Sequence, residues 1–87
     1  MQELITLREQ VQNLDRQILE LLARRKALVI QIGHLKSAQN MPIFDAQREQ
    51  TLIKEYQNLA EQYQLSESFI AQLFQHIFAY AREVQSC

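Results

Sequence analysis

Apolar residues in the first part of the chain recur at alternating steps of three and four: Leu4, Leu7, Val11, Leu14, Ile18, Leu21, Leu28, Ile32 and Leu35. That period gathers them into one seam on an α-helix. One slot of the seam holds a charge, because the step after Leu21 lands on Arg25. A guanidinium keeps its charge, and burying it unpaired is expensive. Either the helix is exposed there or Arg25 awaits an anion. The pattern predicts a continuous helix from about residue 4 to 37, polar outside its seam at Glu3, Glu9, Gln10, Arg16, Glu20, Arg24 and Lys26. Gly33, inside that helix, costs about 1 kcal/mol against alanine. It is either a tolerated weakness near the helix end or a point where another backbone or a ligand comes close.

Pro42 disfavours helix at the residue before it, so the first helix is expected to stop between Ser37 and Met41. The loop then runs from Ser37 to Phe44. Asp45 is placed to cap a second helix, about Ala46 to Tyr63, with apolar positions Leu52, Ile53, Tyr56, Leu59, Ala60 and Tyr63. Ser66 is placed to cap a third, with Glu67 in the favourable first turn and Leu65 and Ile70 at hydrophobic-staple positions. That helix runs to about Gln85 and presents Ile70, Leu73, Phe74, Ile77, Phe78 and Ala81 on one face. One turn after Ala81 the same face reaches Gln85, a polar group on an apolar stripe. Nothing alternates like a strand, and no stretch repeats. The expected fold is all-α, three helices per chain in one domain over residues 1–87.

Length turns this reading toward an assembly. A helix over residues 4–37 is roughly 50 Å long at 1.5 Å per residue. A compact globule of 87 residues has a radius of gyration of about 12 Å, hence a diameter of roughly 30 Å. The first helix therefore overhangs its own domain and leaves apolar seam in water. A second copy covering the overhang is the simplest remedy, so an intertwined homodimer is expected. Composition agrees with long helices and few turns, since the chain has one glycine and one proline. A net charge of −1 gives no strong field toward nucleic acid or an anionic membrane. No apolar run is long enough to span a bilayer, and the polar N-terminus lacks a signal-peptide core. The single cysteine, Cys87, excludes an internal disulfide framework and fits a reducing compartment. A cytoplasmic setting is expected.

Residues that carry covalent, metal or nucleotide chemistry are missing in useful patterns. His34 and His76 stand singly without metal-ligand spacing, and each reads as a surface or packing residue. Cys87 at a fraying end is a poor nucleophile. There is no glycine-rich phosphate loop and no spaced cysteine pair, so no cofactor or metal is expected. What remains is a set of fixed charges beside apolar surface. Arg25 and Lys36 are eleven residues apart, about three turns, so they project from nearly the same face, roughly 16 Å apart along the axis. Cations at both ends of a short slot above Ile32 suit a compact dianion. Arg8 lies roughly 25 Å from Arg25 along the same helix and cannot share a small ligand with it there. If two first helices cross antiparallel near Arg16 and Gln17, Arg8 of one chain faces Arg25 of the other. Otherwise Arg8 is an ordinary solvated charge. Asp45, Arg48 and Glu49 open the second helix, either as a capped, solvated start or with Glu49 accepting a substrate hydroxyl and Arg48 holding the carboxylate in place.

These residues carry a family resemblance. Leu7-Arg8-Glu9, Leu14-Asp15, Leu22-Ala23-Arg24-Arg25, Gly33 with Lys36, Asp45-Ala46-Gln47-Arg48-Glu49, Leu73-Phe74-Gln75 and Gln85 stand in the order and spacing of the all-helical chorismate mutases. The chain resembles that class over essentially its whole length. The resemblance implies an intertwined dimer of three-helix chains, each of two sites taking one arginine from the first helix of the opposite chain. By that likeness Arg8 is the donated arginine, and with Arg25 it binds the two carboxylates of chorismate. Lys36 and Gln85 contact the ether oxygen of the breaking bond. Glu49 and the backbone near Asp45 hold the ring hydroxyl, with Arg48 in support. The implied reaction is the intramolecular rearrangement of chorismate to prephenate, which uses no cofactor, nucleophile or obligatory proton transfer.

The chain departs from the family pattern twice. Ala81 stands where many relatives have a serine that assists a carboxylate. Arg82 stands at a position often apolar in relatives. Two related activities share the pattern: isochorismate pyruvate lyase, whose members tend to lack the Asp45, Arg48 and Glu49 cluster, and a mutase for an amino-substituted chorismate. A third reading is a helical dimerisation module without catalysis. It predicts no affinity for a chorismate-shaped dianion.

Overall fold

The computed structural model describes residues 1–86; Cys87, read above as a poor nucleophile, lies outside the described residues. Three helices account for the fold: α1 over Gln2–Ala38, α2 over Ala46–Gln62 and α3 over Glu67–Gln85. Among the described residues there is no strand. The termini fall within two residues of the expected ones, and the caps explain why. The Asp45 carboxylate accepts from the Arg48 backbone N–H at 3.0 Å, and the Ser66 hydroxyl accepts from that of Phe69 at 3.2 Å. Leu65 and Ile70, the expected staple, line one small apolar hollow between α2 and α3.

Both helix C-termini on the inside of the chain use the same stop without a glycine. After α1, Asn40 takes φ 56°; the Met41 N–H reaches back to the Lys36 carbonyl at 2.8 Å, and that of Asn40 to Ser37 at 3.2 Å. After α2, Gln64 takes φ 59°; Leu65 bonds back to Ala60 at 2.8 Å and Gln64 to Glu61 at 3.1 Å. These are Schellman closures, whose left-handed residue is normally glycine and sometimes asparagine. Glutamine in that conformation is strained by its Cβ. At the α1 stop, Pro42 comes directly after Met41 and keeps the chain from resuming the helix.

Helix α3 is the middle element. Both other helices pack on it, while the α1 and α2 backbones stay apart. Tyr56 of α2 tilts against Phe74 and Phe78 of α3, with ring centroids 4.7 and 6.4 Å away, a spacing that favours edge-to-face contact. On the other side, Val29 and Gly33 of α1 are buried against α3. Among the described residues the buried apolar side chains are only Val29, Ala60, Ile70 and Phe78. Leu59, Tyr63 and Leu73, expected to face inward, are exposed instead.

The seam of α1 is bare. Leu4, Leu7, Val11, Leu14, Ile18, Leu21, Leu28, Ile32 and Leu35 are each 41–62% exposed. The face that α1 gives to α3 runs through Val29 and Gly33, to one side of the seam. A strict three-four alternation drifts by about 20° per heptad on a straight helix, so its late members, Leu28 and Leu35, turn away from α3. The early members have no α2 or α3 beside them. The molecule measures 57 × 25 × 15 Å with a radius of gyration of 16.4 Å, well above the compact value for its length. No helix among the described residues is long and apolar enough to cross a membrane.

Replacing the strained left-handed residue tests this description of the α2 stop. Gln64→Gly is expected to stabilise the protein by roughly 0.5–1 kcal/mol, raising the melting midpoint by roughly 2–8 °C. A midpoint that stays or falls in calorimetry would show that Gln64 carries no strain.

Candidate active site

The lower half of α1, the start of α2 and the end of α3 enclose a cleft of about 210 Å³. Each element contributes by its period. Arg25, Val29, Ile32 and Lys36 are successive members of one α1 face, three or four residues apart. Glu49, Leu52 and Tyr56 do the same on α2, with Arg48 beside them, and Phe78, Ala81 and Gln85 on α3, with Arg82 next to Ala81 at the edge of that face. Ile43 and Asp45 come from the connection between α1 and α2. The floor is apolar and aromatic; the rim carries four cationic side chains, Arg25, Lys36, Arg48 and Arg82, against two carboxylates, Asp45 and Glu49.

The cations are held differently. The Arg25 guanidinium lies 5.5 Å from the centroid of the Phe78 ring and is half-buried. Attraction to the ring face offsets part of its lost hydration. Among the described residues no carboxylate lies within ion-pair distance of it. The Lys36 ammonium donates to the Ile43 carbonyl at 3.0 Å, tying α1 to the loop beyond it. Gln85 donates through Nε2 to the Val29 carbonyl at 3.3 Å. Arg48 is exposed, its backbone tied to Asp45.

Arg82 has the strongest contacts of all. Its Nη1 donates to both carboxylate oxygens of Glu49, at 2.5 and 2.6 Å, across thirty-three residues of chain. Its guanidinium also stacks 4.7 Å from the centroid of Phe44. The sequence left Arg82 without a reason. The signal was its spacing: it follows Phe78 by four residues and precedes Gln85 by three, which places it at the edge of the face that lines the cleft.

Gly33 has a physical reason. A Cβ built there would lie 3.1 Å from the Gln85 Cγ, 3.2 Å from its Cβ and 3.3 Å from its Cα. Of the two readings open in the sequence, close approach of another element is the one observed. The missing side chain lets α3 come near enough for Gln85 to reach the Val29 carbonyl.

Of the expected site residues, Arg25, Lys36, Asp45, Arg48, Glu49, Ala81 and Gln85 all line this cleft. Arg8 does not. It lies near the N-terminal end of α1 beside Leu7, Val11 and Gln12, on the bare part of the helix. Among the described residues no group of three or more His, Cys, Asp or Glu could hold a metal ion.

Comparison with known proteins turns this geometry into a family assignment. The family model described as chorismate mutase type II matches residues 7–86. The chain belongs to the chorismate mutase type II family. It is 39% identical over 75 residues to a bifunctional chorismate mutase/prephenate dehydratase of Buchnera aphidicola subsp. Schizaphis graminum, a match over 86% of this chain and 20% of that protein. It is 35% identical over 74 residues to the protein of the same name from Escherichia coli, over 85% and 19% respectively. It is also 37% identical over 59 residues to the T-protein of Enterobacter agglomerans, over 68% and 16%. The chain thus spans about a fifth of the length of the curated relatives it matches. The span matched to the family includes every residue of the cleft and Arg8.

The contact at Gly33 gives a test of how the cleft is built. Gly33→Leu is expected to destabilise the fold by roughly 1–3 kcal/mol through overpacking against α3. A melting curve like that of the unaltered protein would show that α1 and α3 are not held this close.

Proposed function

We propose that the chain is a chorismate mutase domain that rearranges chorismate to prephenate in a homodimer with two shared sites. The observation that supports this best is the convergence of seven expected site residues, from three helices and a loop, on one cationic cleft. The eighth, Arg8, is the one residue assigned by the family resemblance to the opposite chain. On this reading two copies cross along α1, burying the seam that a single chain leaves in water. Arg8 of each copy then completes the cleft of the other.

The chemistry needs only what the cleft offers. Arg25, with Arg8 of the second copy, binds the two carboxylates of the dianion in a fixed orientation. This holds the flexible side arm over the ring, so that one carbon–oxygen bond breaks as one carbon–carbon bond forms. Negative charge grows on the ether oxygen as its bond lengthens. The Lys36 ammonium has three N–H donors and uses one on Ile43; the Gln85 amide has two and uses one on Val29. Their remaining donors face the charge that develops, so they bind the transition state more strongly than the substrate. Glu49 and the backbone near Asp45 hold the ring hydroxyl; Arg48, expected to hold the Glu49 carboxylate, is exposed, and among the described residues the cation on that carboxylate is Arg82. Ala81 gives no hydroxyl to a substrate carboxylate, so the arginines carry that load.

Lys36→Ala is expected to reduce turnover of chorismate by roughly 10²–10³-fold while changing the melting midpoint little, because Lys36 is tied to the fold by a single hydrogen bond. An unaltered rate removes Lys36 from the mechanism. Product analysis with the unaltered protein separates the neighbouring activities. Prephenate from chorismate is the expected result. Pyruvate and salicylate from isochorismate alone would identify a lyase, and no turnover of either a dimerisation module.

A further inference from the structure

Arg82 is a charged cleft residue to which the proposed mechanism gives no part in holding the substrate, and its contacts give it a task. Its Nη1 sits between the two oxygens of Glu49, and its guanidinium is fixed from the other side by the Phe44 ring. Both side chains line the cleft, 34% and 24% exposed for Arg82 and Glu49. The pair is therefore neither a deep ion pair nor a solvated surface one, and the local charge around Glu49 is close to neutral.

We propose that Arg82 is a specificity-determining positioning residue: by neutralising Glu49 it makes that end of the cleft accept a ring substituent that is an uncharged hydrogen-bond donor and reject one that is a cation. The inference rests on the mutase reading, in which Glu49 faces the ring hydroxyl. A hydroxyl needs only one acceptor lone pair, and a carboxylate bound through one guanidinium nitrogen still has lone pairs to offer. An ammonium at the same ring position meets a different field. Glu49 would attract it, but the Arg82 charge a few ångströms beyond repels it, and burial makes that repulsion stronger than in water. A free Glu49 would favour the ammonium over the hydroxyl. The paired Glu49 reverses the order. Phe44 matters because it keeps the guanidinium against Glu49 and prevents it from swinging into solvent, which would free the carboxylate.

The test compares kcat/KM for chorismate with that for the analogue whose ring hydroxyl is replaced by an amine. It uses the unaltered protein, Arg82→Lys, Arg82→Gln and Arg82→Leu, each checked for helical content. The unaltered protein is expected to prefer the hydroxyl compound. The glutamine and leucine variants should shift the ratio toward the amine by roughly tenfold, a size set by partial screening of half-exposed charges. The lysine variant keeps the positive charge and should keep most of the preference. Arg82→Gln removes the charge but keeps a polar, hydrogen-bonding amide, so it reads the charge even if Arg82→Leu fails to fold. An unchanged ratio, with both substrates falling in parallel, overturns the proposal and leaves Arg82 a merely structural residue. An unaltered protein that converts neither compound overturns the mutase reading itself, and this inference falls with it.

Discussion

Helix α1 is longer than the rest of the chain can cover, and most of the structure follows from that mismatch. Its thirty-seven residues extend about 55 Å at 1.5 Å per residue, whereas α2 and α3 reach only its C-terminal part. What α3 covers is the face through Val29 and Gly33, where the absent side chain of Gly33 sets the distance between the two helices. What α2 and α3 leave uncovered is a long apolar seam. With four buried apolar side chains among the described residues, the single chain has little core of its own to offset the entropy of ordering its residues. The seam is the largest reserve of burial that remains. The same mismatch that weakens the single chain exposes the surface on which a second copy would lie.

The cleft follows from the covered part of α1. There the period that elsewhere carries leucine and isoleucine carries Arg25 and Lys36, with Val29 and Ile32 between them. Fixed cations over an apolar floor, partly removed from water, can hold and polarise a small anion without covalent chemistry. The Arg25 guanidinium illustrates the point. It is half-buried, supported by an aromatic ring, and among the described residues it has no carboxylate beside it. Glu49, in contrast, is already engaged by Arg82. One charge stands open to a ligand and the other is balanced in advance.

The helices were legible because their signals are local. Period, the Asp45 and Ser66 caps, and Pro42 fix the three elements to within a residue or two. The cleft was legible for the residues whose spacing is regular on one helix, as with Arg25 and Lys36, and for those carried by the family resemblance. Two kinds of feature were not. The left-handed stop at Gln64 was missed because glutamine carries no turn preference; tertiary context imposes that conformation against its propensity. The Arg82–Glu49 pair was missed because it joins α2 and α3 across thirty-three residues, and no single-helix period encodes a contact between helices. The seam was read correctly as apolar, yet its drift relative to α3 depends on packing that the pattern alone does not contain.

A site shared between two copies can be tested by mixing two damaged chains. Arg8→Ala and Arg25→Ala are each expected to lose nearly all turnover of chorismate when prepared alone. Unfolded together in equal amounts and refolded, half of the dimers formed at random contain one chain of each kind. Each such dimer regains one intact site, so activity should return to about a quarter of that of the unaltered protein. No recovery from a mixture that refolds to dimers, or full activity in the Arg8→Ala protein alone, would contradict a cleft completed by Arg8 of a second copy.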